Sequence, residues 1–355
     1  ARSPSTVAAV KAVLSSGPFR LVEVPDAKPR TKPKALNFAL PLCRGEFVVV
    51  YDAEDTPHPE QLWRAVKRFR ARPRLQCIQA QLLIDNGTEG QLPALFASEY
   101  AGLFTVLLPA LAHWKLPVPL GGTSNHFRLQ TLRSIGGWDA FNVTEDADLG
   151  MRLARLHLPV EVFACPTLED APTSAKVWMA QRSRWMKGWM QTFVVHNSQP
   201  LLLARQAGWR AMLAFEIWAL GSIIAPLAHS GYLVTLAAQL ALGVPVFQGW
   251  FSWSGLYLLI LLYGYGTAIA VNIVGLRRRG ALRLLPYQAL MPLYWLLMVP
   301  AIGRALYELT NNPFHWSKTP HQPVSPARDL GRGTGEGGAW AAQEAKALAA
   351  AADQP

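Results

Sequence analysis

The 355-residue chain is 51 % hydrophobic and 16 % charged, with a net charge of +11 and three cysteines. That balance excludes a wholly disordered chain and a disulfide-stapled one, and it is apolar for a soluble enzyme. The positive charge is scattered and much of it flanks apolar segments, so the expected partners are a lipid bilayer and a phosphorylated substrate, with no nucleic acid. Cys43, Cys77 and Cys165 show no metal spacing and are expected to be reduced, mostly buried thiols. The 13 tryptophans fall largely in or near the second half, as at a membrane interface.

In chain order, Thr6 to Leu14 predicts an amphipathic helix ended by Gly17 and Pro18. Phe19 to Val24 reads as a short β run. Pro25 to Pro33 is a basic loop, either a solvated turn or a phosphate-contacting one, and Lys34 to Leu42 is helical. Phe47 to Tyr51 is an apolar, β-branched run that suits a buried strand of a mostly parallel sheet. Asp52 stands at its carboxyl end, where open α/β sheets bind ligands. Asp52 and Glu54 lie two apart and can turn toward one hard cation, Mg2+ or Mn2+, whereas Asp55 also reads as a helix cap.

Pro59 to Arg72 predicts a basic amphipathic helix with Leu62, Val66 and Phe69 inward, and Leu75 to Ile84 a further strand. The alternation makes the domain α/β. Asp85 and Asn86 either touch substrate or make a turn, and the turn is the favoured reading. Gln91 to Leu116 is an interrupted apolar helix lying against the sheet or at a membrane surface. In Pro119 to Arg128, Gly121 and Gly122 allow close backbone approach, and Thr123, Ser124 and Asn125 offer short polar groups before a strand.

A Gly136-Gly137-Trp138-Asp139 turn leads into Val143 to Asp148. Glu145, Asp146 and Asp148 crowd together, and such crowding is costly unless chemistry uses it; the alternative is an acidic helix start, which is the reading for Asp148. Val160 to Phe163 is a closing strand. Thr173 to Val195 is a helix rich in tryptophan and cations. Two acidic clusters followed by a basic-aromatic helix point to a metal, a base and cations for a leaving phosphate.

Apolar runs follow at Ala211 to Val246, Trp253 to Leu276 and Leu284 to Ile302, and the second is a charge-free span. Glu216 interrupts the first run as a functional candidate or an interfacial charge. Arg277, Arg278, Arg279 and Arg283 mark a cytoplasmic loop. Three crossings would place Asn311 to His321 outside. The tail beyond Gln322 is glycine- and then alanine-rich and is expected to be disordered.

Five pieces in order resemble the family-2 glycosyltransferases, in their membrane-bound, cellulose-synthase-like branch. They are Thr31 to Asn37, the Asp52 cluster, Gly121 to Asn125, Thr144-Glu145-Asp146, and Gln181-Arg182-Ser183-Arg184-Trp185. The resemblance covers roughly residues 20 to 320. It implies a GT-A-type nucleotide-sugar-binding domain over residues 1–200, transmembrane or interfacial helices over 201–310, and a tail over 311–355. It also implies that Pro313 to His321 lies inside, which an interfacial third segment would reconcile with the apolar runs.

The resemblance places Lys32 and Asn37 at the donor, and Asp52 and Glu54 as a DxD-like metal pair with glutamate second. It makes Asp146 the catalytic base. Gln181, Arg184 and Trp185, the QxxRW motif, would meet the diphosphate, and Trp185 the acceptor too, beside Gly122, Thr123, Ser124 and Glu145. The implied reaction is inverting transfer from a nucleotide sugar, with UDP ahead of GDP, to a growing polysaccharide. The implied location is a bacterial-type inner or plasma membrane, with the catalytic domain cytoplasmic. Transfer to a lipid carrier, or carbohydrate binding without catalysis, are the alternatives. Because the chain opens on Ala1, it is expected to be a fragment, with the family's base-holding strand and acidic loop preceding it.

Overall fold

The structure is a computed structural model describing residues 4–14 and 19–314. The first elements are α1 (Pro4–Val13) and α2 (Lys32–Ala39), the latter continued by a 3-10 turn at Leu40–Leu42. Residues 19–27 contain no strand, so the β run predicted for Phe19 to Val24 does not form. Those residues have no ladder partner, and Phe19 is 70 % exposed.

Then come β1 (Phe47–Val50), β2 (Thr56–Pro57), α3 (Gln61–Ala71), β3 (Cys77–Ile84), α4 (Gln91–Gly102), a π turn at Leu103–Leu107 and α5 (Leu108–His113). The domain closes with β4 (Asn125–Arg128), α6 (Leu129–Ser134), α7 (Glu145–Arg155), β5 (Val160–Glu169), α8 (Ala175–Asn197) and α9 (Pro200–Ala207).

The sheet runs in the order β1-β4-β3-β5-β2. Only β3 and β5 pair in parallel, and the other pairs are antiparallel. The sheet is therefore mixed, and β1 is a half-buried edge strand rather than an interior one. Even so, β1, β3 and β5 point the same way, because β4 lies reversed between β1 and β3. Their carboxyl ends and the amino end of β4 share one rim of the sheet. β5 runs six residues past the predicted stop at Phe163. Pro166 is tolerated because it lies where the register with β3 slips, between the Ala80–Phe163 and Leu82–Thr167 pairs.

A polar anchor turns α3 from its predicted face. Gln61 is fully buried: its Nε2 donates to Cys165 O at 2.8 Å and to Thr167 Oγ1 at 3.0 Å, and its Oε1 accepts from Tyr51 Oη at 2.8 Å. Gln61, Ala65 and Phe69 then face inward at helical spacing, and Leu62 is left 53 % exposed. Cys77 and Cys165 are buried in the sheet, and Cys43, just past α2, is half-buried; all three are free thiols.

Beyond the domain lie α10 (Trp209–Ala241), α11 (Trp253–Arg278), a 3-10 stretch at Leu282–Leu290, α12 (Met291–Leu296) and α13 (Met298–Asn311). Four helical stretches among the described residues are long and apolar enough to cross a membrane: Gln91–His113, Trp209–Ala241, Trp253–Arg278 and Leu282–Asn311. Burial separates them. The most apolar stretch of Gln91–His113 is 61 % buried in the protein, against 17 % for α10 and 22 % for α11. The first therefore packs in the domain, while α10 and α11 present apolar flanks as a membrane protein does. Glu216 of α10 is half-buried.

α11 returns to the domain, where Arg279 Nε donates to Thr105 Oγ1 at 2.6 Å and its Nη2 to Leu82 O at 3.0 Å. The third apolar run is broken into short pieces that stay against α8. Trp178 Nε1 donates to Tyr294 Oη at 2.9 Å, and Lys187 Nζ to Glu308 Oε2 at 3.1 Å. That run packs along the domain at these points, and it is also long and apolar enough to cross a membrane. Of the segment Pro313 to His321, only Pro313 and Phe314 are described, and the tail beyond Gln322 lies outside the described residues.

Candidate active site

The shared rim explains why distant motifs meet. Asp52 follows β1, Glu169 ends β5, and Gly121 to Thr123 precede β4, all at the same end of the sheet. The stretch from Asp52 to Asp55 carries the chain from one edge strand to the other across that end. A cavity of about 760 Å³ opens there. Its polar wall carries Lys32, Asp52, Glu54, Asp55, Glu145, Asp146, Glu169, Gln181 and Arg184, together with Gly122 and Thr123.

Lys32 joins three elements. Its Nζ donates to Asp52 Oδ1 and, at 2.7 Å, to Gly122 O. A side chain at Gly122 would begin 3.5 Å from Asp146 Oδ2, 3.8 Å from Lys32 Nζ and 3.9 Å from Asp52 Oδ2, so these three groups surround one small residue. Thr123 Oγ1 accepts from the Asp52 backbone N–H at 3.1 Å and fixes the turn. α2 is held at its other end by Asn37, whose Nδ2 donates to Trp138 O at 2.6 Å and whose Oδ1 accepts from Trp138 N at 2.9 Å. This clamp ties the helix that carries Lys32 to the turn leading into α7.

Electrostatics at the rim are unusual. Burial raises Glu145, and the adjacent Asp146 adds to the rise. Burial also raises Asp146, against the Ala147 backbone N–H, Lys32 and Arg184, which favour its anion. Two neighbouring carboxyls with limited compensation resist ionising together. Burial pushes Asp55 up to about 7, helped by Asp52 and Glu54 and opposed by a hydrogen bond from Thr123. Glu169 is raised by burial and by Asp55 and Asp52. Burial opposes the Lys32 charge, but Asp52, Glu145 and Asp146 hold its ammonium above the usual range. Burial lowers Arg184.

Most of the sequence-predicted residues therefore converge: Lys32, Asp52, Glu54, Gly122, Thr123, Glu145, Asp146, Gln181, Arg184 and Trp185 line the one cavity. Gln181 Oε1 is buried there without a hydrogen-bond partner. Two do not line it. Asn37 is occupied as the Trp138 clamp. Ser124 is fully buried, and its Oγ shares a 2.5 Å hydrogen bond with Thr167 Oγ1. Asp148 is not a bare helix-end charge either: its carboxylate meets Arg152 Nε at 2.8 Å and His196 Nε2 at 3.0 Å.

Sequence reasoning missed Glu169, because the strand was expected to stop at Phe163. It also treated Asp55 as a cap, although the helix starts at Gln61. The signal for Glu169 was the acidic pair Glu169-Asp170 closing an apolar run. Arg182 was missed as well. Its guanidinium is buried, pairs with Glu99 and lies 4.8 Å from the Trp185 ring centroid, while Tyr294 Oη donates to Glu99 Oε2 at 2.7 Å. This buried knot fixes Trp185 between α4, α8 and α12.

The family description "Glycosyl transferase family group 2" matches residues 47–301. A beta-monoglucosyldiacylglycerol synthase from Trichormus variabilis is 28 % identical over 203 residues, covering 56 % of this chain and 42 % of the relative. A protein of the same name from Synechocystis sp. is 25 % identical over 308 residues, covering 82 % and 60 %. A glucomannan 4-beta-mannosyltransferase from Cyamopsis tetragonoloba is 28 % identical over 145 residues, covering 40 % and 27 %. The chain thus spans less than two thirds of these relatives. A mannosyltransferase from Pyrobaculum calidifontis, solved with GDP-Man and Mn2+, aligns over 86 % of this chain and 75 % of its own at 20 % identity, with a TM-score of 0.49. The family match covers most of the mixed α/β domain and of the apolar helices that follow it. The chain belongs to glycosyl transferase family group 2.

Proposed function

We propose that the chain transfers a hexose from a nucleoside diphosphate sugar to an acceptor hydroxyl at a membrane, with inversion at the anomeric carbon. The observation that carries this is the grouping of Asp146, Lys32 and Asp52 around Gly122 at the bottom of one cavity. Asp146 takes the acceptor proton, since burial raises its affinity for a proton and its carboxylate lines the cavity beside Lys32 and Asp52. Glu145, raised further by its neighbour, supports the same hydroxyl. Arg184 and Gln181 face the cavity from α8 and hold the diphosphate, and Trp185 offers an apolar ring to a sugar face. The convergence of Gln181, Arg184 and Trp185 on this cavity favours the cellulose-synthase-like branch.

The donor set fits a hard divalent cation. Asp52, Glu54, Asp55 and Glu169 all offer carboxylate oxygens; burial raises Asp55 and Glu169, and the neighbouring carboxylates add a repulsion that a cation would relieve. Among the described residues no group of three or more His, Cys, Asp or Glu is arranged to hold a metal alone. Asp52 and Glu54 would therefore hold Mg2+ or Mn2+ together with the diphosphate oxygens. When bound, that ion neutralises charge on the leaving diphosphate. In this reading α10 and α11 cross the bilayer, and Arg277 to Arg279 at the end of α11 support a cytoplasmic domain by the positive-inside rule. The relatives' names cover both a glycolipid and a glucomannan product, so lipid and glycan acceptors both enter the test.

The test is nucleoside diphosphate release by the full protein in vesicles. UDP- and GDP-sugars are supplied with Mg2+ or Mn2+ and a panel of glycan and lipid acceptors. Release coupled to a glycosylated product supports the reading. No release from any donor overturns it.

A further inference from the structure

The long apolar helix α11 ends in a turn that carries four arginines. Gly280, at φ 67°, stops the helix: its N–H donates to Arg277 O at 3.2 Å, and the Ala281 N–H donates to Leu276 O at 2.9 Å. The cations then divide into two pairs. Arg278 Nη1 donates to Thr105 O at 3.0 Å, and the buried Arg279 reaches Thr105 Oγ1 and Leu82 O, so both are held by the domain. Arg277 and Arg283 are exposed, and among the described residues neither has an ion-pair partner. No acidic residue occurs from 217 to 307 to offset them. Leu282 and Leu285, on either side of Arg283, are 45 % and 42 % exposed. Free cations beside exposed leucines, at the end of a candidate span, suit an anion that carries hydrocarbon, and a soluble phosphate would leave the leucines bare.

The same turn is joined to the cavity. Thr105 belongs to the π turn, and Leu103 and Phe104 of that turn line the cavity wall. The joint is stiff, because no β-carbon fits at Gly275 against the Ala101 backbone or at Gly102 against Asn272. We propose that Arg277 and Arg283 bind the phosphate headgroup of an anionic membrane lipid, and that the bound lipid steadies the π turn and raises the rate of transfer. The effect on rate rests on the transfer reading above, whereas the lipid site does not.

The test uses the full protein in vesicles of phosphatidylcholine alone or mixed with phosphatidylglycerol. Spin-labelled phosphatidylglycerol should associate about five-fold more strongly than spin-labelled phosphatidylcholine. Arg277→Gln with Arg283→Gln should bring the two lipids level, and Arg277→Lys with Arg283→Lys should keep the preference. Arg278 and Arg279 remain in both variants, so a positive turn still follows α11. Equal association in the unaltered protein, or a preference that survives the glutamine pair, overturns the site. With the donor panel above, phosphatidylglycerol should also raise nucleoside diphosphate release about five-fold and slow amide hydrogen exchange at Leu103–Leu107. The glutamine pair should lose both effects and keep the rate seen in phosphatidylcholine. Exchange that ignores phosphatidylglycerol overturns the coupling, whatever the release rate does. No release in either vesicle overturns the transfer reading, and slowed exchange at the π turn would still support the lipid site and its reach to the cavity wall.

Discussion

Thr144, just ahead of α7, is packed against Gly188 of α8 so closely that no β-carbon fits between them. The contact sets where α7 begins and hence where Asp146 stands. Gly188→Ala should cost ~1–3 kcal/mol by overpacking. It should also cut transfer more than it weakens nucleotide binding, because it shifts the base and not the diphosphate anchors. Thermal unfolding beside steady-state kinetics checks this, and an equal loss in both would place the effect on folding alone.

Asp146→Asn keeps the shape of the carboxyl but cannot take a proton. Transfer should fall by about 10²–10⁴-fold. Donor affinity, read by calorimetric titration, should stay near that of the unaltered protein. Full turnover would move the base elsewhere.

Chelation should remove most donor affinity, and Mn2+ or Mg2+ should restore it. Asp52→Ala should abolish that restoration while leaving the protein folded, since Asp52 is half-buried. Nucleoside diphosphate titrations with and without the ion give the answer. An unaltered ion dependence in the variant would exclude Asp52 as a ligand.

Asp55 titrates at about 7 when folded, against an ordinary carboxyl near ~4. Between those values the unfolded chain has released a proton that the folded chain keeps, so this group makes folding less favourable as pH rises through the window. Below it both states are protonated and the effect vanishes. Asp55→Asn should therefore match the unaltered protein near pH 4 and melt at a higher temperature near pH 8. The scans need to be run without divalent cations, because a bound cation would favour the anion.

The Arg182–Glu99 pair is enclosed by Phe96, Trp178 and Trp185. Glu99→Ala leaves a buried guanidinium without its carboxylate and should cost ~3–5 kcal/mol. Tyr294→Phe removes a hydroxyl that donates to Glu99 and accepts from Trp178 Nε1 and Arg182 Nη2, and should cost the smaller ~1–3 kcal/mol. Chemical unfolding of the two variants side by side tests the ranking.

The sequence showed the site more clearly than it showed the sheet. Lys32, Asp52, Gly122, Asp146 and Arg184 were legible because each stands in a short motif, and the resemblance supplied their roles. The order of strands was not legible, because apolar runs such as Phe47 to Val50 look alike whether they lie at an edge or inside a sheet. α3 was misoriented because periodicity ranks Leu62 above Gln61, and only the carbonyls of Cys165 and Pro166, brought in by the sheet, make glutamine the inward residue. Asn37 and Ser124 were placed in the right neighbourhood, but spacing cannot tell a side chain that faces a cavity from one that props up its wall. The third apolar run shows a related limit. Composition alone reads it as a span, and the bonds from Tyr294 and Glu308 to α8, with Met298, Ala301 and Ile302 buried in the domain's core, were not legible in it.

The unequal burial of the three thiols has a practical consequence. Cys77 and Cys165 are closed to solvent, while Cys43 sits at the protein's surface layer just beyond the helix that begins at Lys32. Under native conditions a maleimide dye should thus attach at a single natural position. The unmutated protein then carries its own fluorescent gauge of donor arrival, read at the far end of the helix whose first residue grips Asp52.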